Sequence, residues 1–185
     1  VVTSVFRIRP NLDEYLSLTA NEADIARLVN EGAFKGQPMA ASWVPLRVWM
    51  QEVYQDDRRR ILGDFVNFIS GCLVMTARAA DALGAMLRPA GEFLSLDSDL
   101  PLVAWNCTEV INALDPARTK GVKYPSGVGY MRVSRYVLRQ DSLDDHAIFK
   151  VPERVGSDLF ISDATARAIE DHGLVGLSLE PVEFA

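Results

Sequence analysis

His146 and His172 are the only imidazoles in the 185 residues, and they limit what acid–base chemistry the chain can do. His172 stands just before Gly173 at the expected end of a helix, where an imidazolium complements the helix dipole, so it reads as structural. His146 follows Asp144 and Asp145. A neighbouring carboxylate raises an imidazole pKa and orients the ring, which makes a small hydrolase using His146 the enzymatic alternative. No serine or cysteine stands out as its nucleophile. The sequence also lacks a Gly-x-x-x-x-Gly-Lys phosphate loop, a Gly-x-Gly-x-x-Gly turn after a strand and a His-Glu-x-x-His zinc helix. Gly127-Val128-Gly129 reads as the lip of a turn opened by Pro125-Ser126. The acid pairs Asp97/Asp99 and Asp144/Asp145 would need a third carboxylate to hold a divalent ion. Cys72 and Cys107 each lie in an apolar segment without zinc spacing and read as small buried hydrophobes. The expectation is a protein that is not an enzyme, with no catalytic residue, no metal and no cofactor.

Charge is unevenly placed along a chain of net charge −6. From Asp141 onward, ten carboxylates face only Lys150, Arg154 and Arg167, while the rest of the chain is close to neutral. Between Asp115 and Asp141 there is no acid at all, but there are Arg118, Lys120, Lys123, Arg132, Arg135 and Arg139. Those cations interleave with Tyr124, Tyr130 and Tyr136, a pattern that could track phosphates and stack bases. A nucleic-acid-binding module using Arg118 to Arg139 is therefore a second alternative, opposed by the acidity of the whole chain. The leading reading of that stretch is a basic strand that pairs with the protein's own acidic C-terminal third.

The elements that position these residues follow from periodicity. Val2 to Ile8 reads as a first strand. Thr19 and Glu22 have the spacing of a capping box, ahead of an apolar stripe of Ile25, Leu28 and Val29 that Gly32 closes. Val44, Leu46, Val48 and Met50 alternate with Pro45, Arg47, Trp49 and Gln51 within a strand from Trp43 to Tyr54. Asp56 to Arg60 reads as a solvated connection. A strand followed by a capped helix occurs twice: Cys72–Met75 with Thr76 as cap, and Leu159–Ile161 with Ser162 as cap. Further strands are expected at Glu92–Leu96, Leu102–Cys107, Tyr130–Leu138, Ala147–Val151 and Leu174–Val182. Asp64 and Asp115, at the edges of apolar runs, are expected to hold loops by accepting backbone N–H groups. The fold class is α+β, a single compact domain over residues 1–185 with a mixed, mainly antiparallel sheet and about three helices. No apolar run is long enough to cross a bilayer, and the first twenty residues lack the apolar stretch of a signal peptide. A cytoplasmic protein is expected.

From Gly63 onward the order of segments resembles the bacterial immunity protein 11 family, formerly a domain of unknown function found beside polymorphic toxins. The matching pieces are Gly63-Asp64-Phe65, Leu73-Val74-Met75-Thr76 with Ala80 and Leu83, Gly91-Glu92-Phe93, Asn112-Ala113-Leu114-Asp115, Ile148-Phe149-Lys150, Leu159-Phe160-Ile161-Ser162-Asp163 and Gly173-Leu174-Val175-Gly176-Leu177. They make residues 63–185 the family-like core and residues 1–62 an N-terminal extension. Pro116-Ala117-Arg118-Thr119 departs from the pattern, which has a serine soon after the Leu-Asp pair. The resemblance implies an effector–immunity pair: a cognate toxin encoded next to this chain, bound and masked in the producing cell, as in type VI secretion. It implies no catalytic residue. Because a basic toxin would be steered by an acidic face, Asp141, Asp144, Asp145, Glu153 and Asp158 are the expected partner-binding residues. Membrane and nucleic acid are not expected partners, and a homodimer is left open.

Overall fold

The computed structural model describes residues 2–51, 59–143 and 146–185. In chain order it begins with β1 (Val5–Pro10), β2 (Leu18–Ala20), helix α1 (Glu22–Asn30), β3 (Leu46–Met50), β4 (Phe65–Val66) and β5 (Cys72–Thr76). Helix α2 (Ala77–Leu87) leads into β6 (Gly91–Asp97), β7 (Leu102–Cys107), β8 (Lys120–Lys123) and β9 (Tyr130–Arg135). The chain closes with β10 (Val137–Leu138), β11 (Ile148–Phe149), β12 (Leu159–Ser162), α3 (Asp163–Asp171) and β13 (Leu177–Phe184). A five-stranded sheet runs β10-β13-β1-β12-β11 and a six-stranded sheet runs β2-β3-β6-β7-β5-β4, while β8 and β9 pair as a hairpin. Among these strands only β10 with β13 and β3 with β6 are parallel. The expected α+β class with mixed, mainly antiparallel sheets is what the chain forms. Among the described residues no helix is long and apolar enough to cross a membrane.

Strand alternation builds the layers, because successive side chains point to opposite faces. In β12, Leu159 and Ile161 face a central core shared with Leu73 and Met75 of β5, Leu83 of α2 and Ile169 of α3. Phe160 points the other way, into a second core with Val5, Phe149, Tyr130, Val133 and Tyr136. In β5, Val74 likewise turns from the central core toward a third one, where Leu28 of α1 and Phe34 cover the six-stranded sheet. The two sheets thus share an apolar layer, and each also has an outer cover.

Both strand-plus-helix units form as read: Thr76 and Ser162 cap α2 and α3 by accepting from Ala79 and Thr165 N–H. The first helix differs in detail. Its cap is Asn21, whose side chain accepts from Asp24 N–H at 2.9 Å, whereas Thr19 is taken up by β2 pairing with β3. Val29, expected on the buried stripe, is 58% exposed, and Leu28 supplies the buried contact. The strand expected from Trp43 to Tyr54 runs Leu46–Met50, and its last expected residues, with Asp56 to Arg58, lie outside the described residues. Tyr130–Leu138 is broken at Tyr136 into β9 and β10.

One charged group lies deep between these layers. Lys150, which follows β11, is fully buried, and its ammonium donates to the Gly71 carbonyl at 3.0 Å and to the Phe34 carbonyl. Phe34 and Gly71 both have positive φ, at 59° and 79°, so both carbonyls are presented by tight turns. At Gly71 an added Cβ would stand 2.8 Å from the Phe34 oxygen, which leaves room for glycine alone. Burial pushes the Lys150 pKa down to about 8, partly offset by Cys107 and Cys72. Burial in turn pushes the thiols up, Cys72 to about 12 and Cys107 to about 11.

Linkage gives these shifts a pH signature. From pH 8 upward the unfolded chain keeps a lysine proton that the folded chain gives up, so Lys150 alone should add about 1 kcal/mol of stability between about pH 8 and pH 9, a gain that the two thiols, already ionising in the unfolded chain, cut to a few tenths of a kcal/mol. Above the ordinary thiol pKa of 9.0 the unfolded thiols ionise first and stability should fall again. Urea unfolding across this range checks both arms: K150M is expected to lose the rise and keep the fall.

Candidate functional site

Of the five acids expected to face a partner, the three among the described residues differ in exposure. Asp141 is exposed on a single turn, Gln140–Ser142, where Ser142 Oγ donates to it. Asp144 and Asp145 lie outside the described residues. Glu153 is half-buried on the turn Pro152–Arg154, and its Oε2 is enclosed without a hydrogen-bond partner. Asp158 is only 8% exposed and is committed internally, which takes it away from the outer surface.

Its role is that of a node. The Asp158 carboxylate accepts from the Tyr136 phenol at 2.5 Å and from Arg154 Nε at 2.6 Å, and Arg7 Nη1 of β1 stands 3.7 Å away. Arg7 also donates to Glu180 of β13 at 2.9 Å and lies over the Tyr136 ring at 5.1 Å. A carboxylate this deep is tolerated because its Oδ2 accepts from the phenol and from a guanidinium while its Oδ1 faces the Arg7 charge. Burial first, and the adjacent Asp158 charge second, push the Tyr136 phenol far above its usual range, so it remains a donor.

From this node a brace reaches the hairpin. Arg154 Nη1 donates to the Tyr130 carbonyl at 2.8 Å and the Met131 carbonyl at 2.9 Å. Gly129, with φ of 73°, brings the hairpin turn so close that a Cβ there would lie 2.9 Å from the Glu153 oxygen. Tyr130 and Val133 of β9 fill the second core, while β8 is exposed along its whole length. The outward residues include Val122, Tyr124, Val128 and Met131, with Val128 79% exposed.

The basic stretch divides into two groups. Arg135 pairs with Glu183 of β13 at 2.8 Å, Arg118 stands 3.9 Å from Asp115, and Arg139 donates to the Asn112 carbonyl. The Arg135–Glu183 pair is the expected bond to the acidic C-terminal third. Among the described residues, Lys120, Lys123 and Arg132 take no such ion pair, and Lys123 Nζ lies 5.7 Å over the Tyr130 ring. Tyr130 and Tyr136 are buried, which leaves Tyr124 as the one exposed ring of the three that a base-stacking surface would need.

The remaining candidates are also placed. His146 Nδ1 lies 3.1 Å from Glu109 Oε1 and its ring meets Phe149 edge-on; no Ser, Thr or Cys among the described residues hydrogen-bonds to it. His172 is the C-cap of α3, before Gly173 with φ of 58°. Asp64 accepts from Arg78 Nη2 at 2.7 Å and from Val175 N–H at 3.0 Å, and the Arg78 hydrogen bond holds its carboxyl below the usual range. Asp115 accepts from the N–H groups of Ala117 and Arg118. Both hold loops, as their positions suggested.

Removing the node should therefore loosen the hairpin. D158A leaves Arg154 and Tyr136 without their shared acceptor and is expected to cost about 3 kcal/mol, against about 1 kcal/mol for Y136F, measured by chemical denaturation. Amide exchange over residues 120–133 should speed up in D158A beyond what the global loss accounts for.

The profile of the immunity protein family (Imm11) matches residues 20–183. The match takes in α1 and β3 as well as the segments from Gly63 onward. No curated protein matches the chain. With nearly its whole length covered, this chain belongs to the Imm11 immunity protein family.

Proposed function

We propose that this chain is the antidote of an effector–immunity pair: it binds one cognate bacterial toxin directly, masks it in the cytoplasm of the producing cell, and makes or breaks no bonds. The observation that carries this reading is the family match across residues 20–183. The toxin is proposed to be encoded next to this chain. Charge complementarity supplies fast encounter, and apolar anchors supply residence time. Asp141, with Asp144 and Asp145 beside it in sequence, remains part of the proposed contact surface, and Glu153 is proposed as a further contact. Asp158 contributes from within, by holding the turn that carries Glu153 and Arg154.

Expression of the neighbouring open reading frame in a host without this chain tests the reading. Growth arrest is expected, with rescue and a co-purifying complex when this chain is supplied. A harmless neighbour, or rescue without any complex, would count against neutralisation by contact.

A further inference from the structure

Among the described residues, exposed large apolar side chains gather at more than one place: Trp49 and Leu100 line one cavity, and Leu12 lies near Ile61 where Arg60 holds its carbonyl, but the hairpin has the densest run in sequence. Four of them, Val122, Tyr124, Val128 and Met131, fall within ten residues on the hairpin formed by β8 and β9. Scattered apolar residues need no explanation, but a cluster on the outer face of one hairpin marks a contact surface. The segment itself carries charge of one sign, since no acid occurs between Asp115 and Asp141, while Glu183 from β13 stands at its base beside Arg135 and Lys120. Lys120, Lys123 and Arg132 are exposed there, whereas Arg135 is taken by Glu183. Val122 sits opposite Arg132 in the strand register, so an apolar and a cationic group stand side by side. Among the described residues the hairpin has no further strand beside it, so the outer edge of β8 offers main-chain groups as well.

From this juxtaposition we infer that the hairpin is the arm that enters the toxin, and that it fits an acidic cleft with an apolar floor. The inference rests on the toxin-neutralising reading alone; it moves the main contact from the acids around Asp141 to the hairpin and gives the cleft that the hairpin enters a negative charge, the reverse of the basic partner those acids would meet. A cation-bearing arm gains Coulomb attraction only from negative potential, and a carboxylate-lined cleft both supplies that potential and is a common form of hydrolytic active site. A second copy of this chain fits less well. Two lysine-bearing edges repel each other, a device that keeps exposed strands from pairing with their own kind. Single-stranded nucleic acid also fits less well, because two of the three tyrosines are buried and the exposed aliphatic residues offer no face for stacking. The brace supports the arm's role, since a loop held at Tyr130 and Met131 by Arg154 loses less freedom on binding.

The test uses the purified product of the neighbouring open reading frame as probe, with binding rates measured against the full chain and against K123E/R132E, V128D and the control V29D on exposed α1. All the substituted side chains are exposed, so unchanged unfolding temperatures are expected and verify folding. The double charge reversal should slow association by about tenfold or more and flatten its salt dependence. V128D should speed dissociation by about tenfold, and V29D should change neither. If the wild-type chain binds and neutralises the probe while the hairpin variants do so equally well, the arm is overturned and the neutralising reading stands. If the wild-type chain neither binds nor protects, the reading beneath the arm is itself overturned. Retention of a thymidine oligonucleotide that R132E abolishes would overturn the arm in favour of nucleic acid. A dimer dissolved by V128D would overturn it in favour of a second copy.

Discussion

A carboxylate withdrawn from water must be met by donors on every side, and the position of Asp158 imposes that constraint on several elements together. It fixes Tyr136 where β9 passes into β10, Arg7 in the middle of β1, and Arg154 on the turn before β12. An unmatched charge at this depth costs several kcal/mol, so the two donors, Tyr136 and Arg154, and the charge of Arg7 cannot move independently. Through Arg7 the same network reaches Glu180 and β13. The edge of the five-stranded sheet, the turn and the root of the hairpin are thereby set in one arrangement.

The Lys150 ammonium answers a different demand with the opposite sign. It crosses to the turns at Phe34 and Gly71 and meets main-chain oxygens, which leave its charge only partly compensated. Specific geometry comes at some cost in stability here, since an apolar side chain would carry no desolvation penalty. What the ammonium supplies is a fixed distance between the cover of one sheet and the strand ends of the other.

How much could be read beforehand depended on how local the cause was. The strand-plus-helix units were legible because Thr76 and Ser162 cap within three residues of themselves, and the strand faces because alternation is intrinsic to Leu159, Phe160 and Ile161. The true cap of α1 was hidden: Thr19 and Asn21 both suit a cap, and only the pairing of β2 with β3 decides between them. Asp158 was misplaced for a related reason. In sequence it is one more acid in an acidic stretch, and nothing nearby reveals that Tyr136 and Arg7 converge on it. Lys150 was visible only as the end of the Ile148-Phe149-Lys150 segment, and its burial was not legible, since a lysine after two apolar residues ordinarily reaches solvent. The basic stretch was visible as composition, but which tyrosines would be buried depended on the second core.

The brace on the hairpin grips carbonyl oxygens of Tyr130 and Met131, and every amino acid carries such an oxygen. The outward side chains of the tip are consequently released from structural duty. Mutational drift at Val122, Tyr124, Val128 or Arg132 can explore new shapes and charges while the scaffold beneath stays intact. On the proposed reading, substitution there would change what the hairpin meets while leaving its main-chain grip as it is.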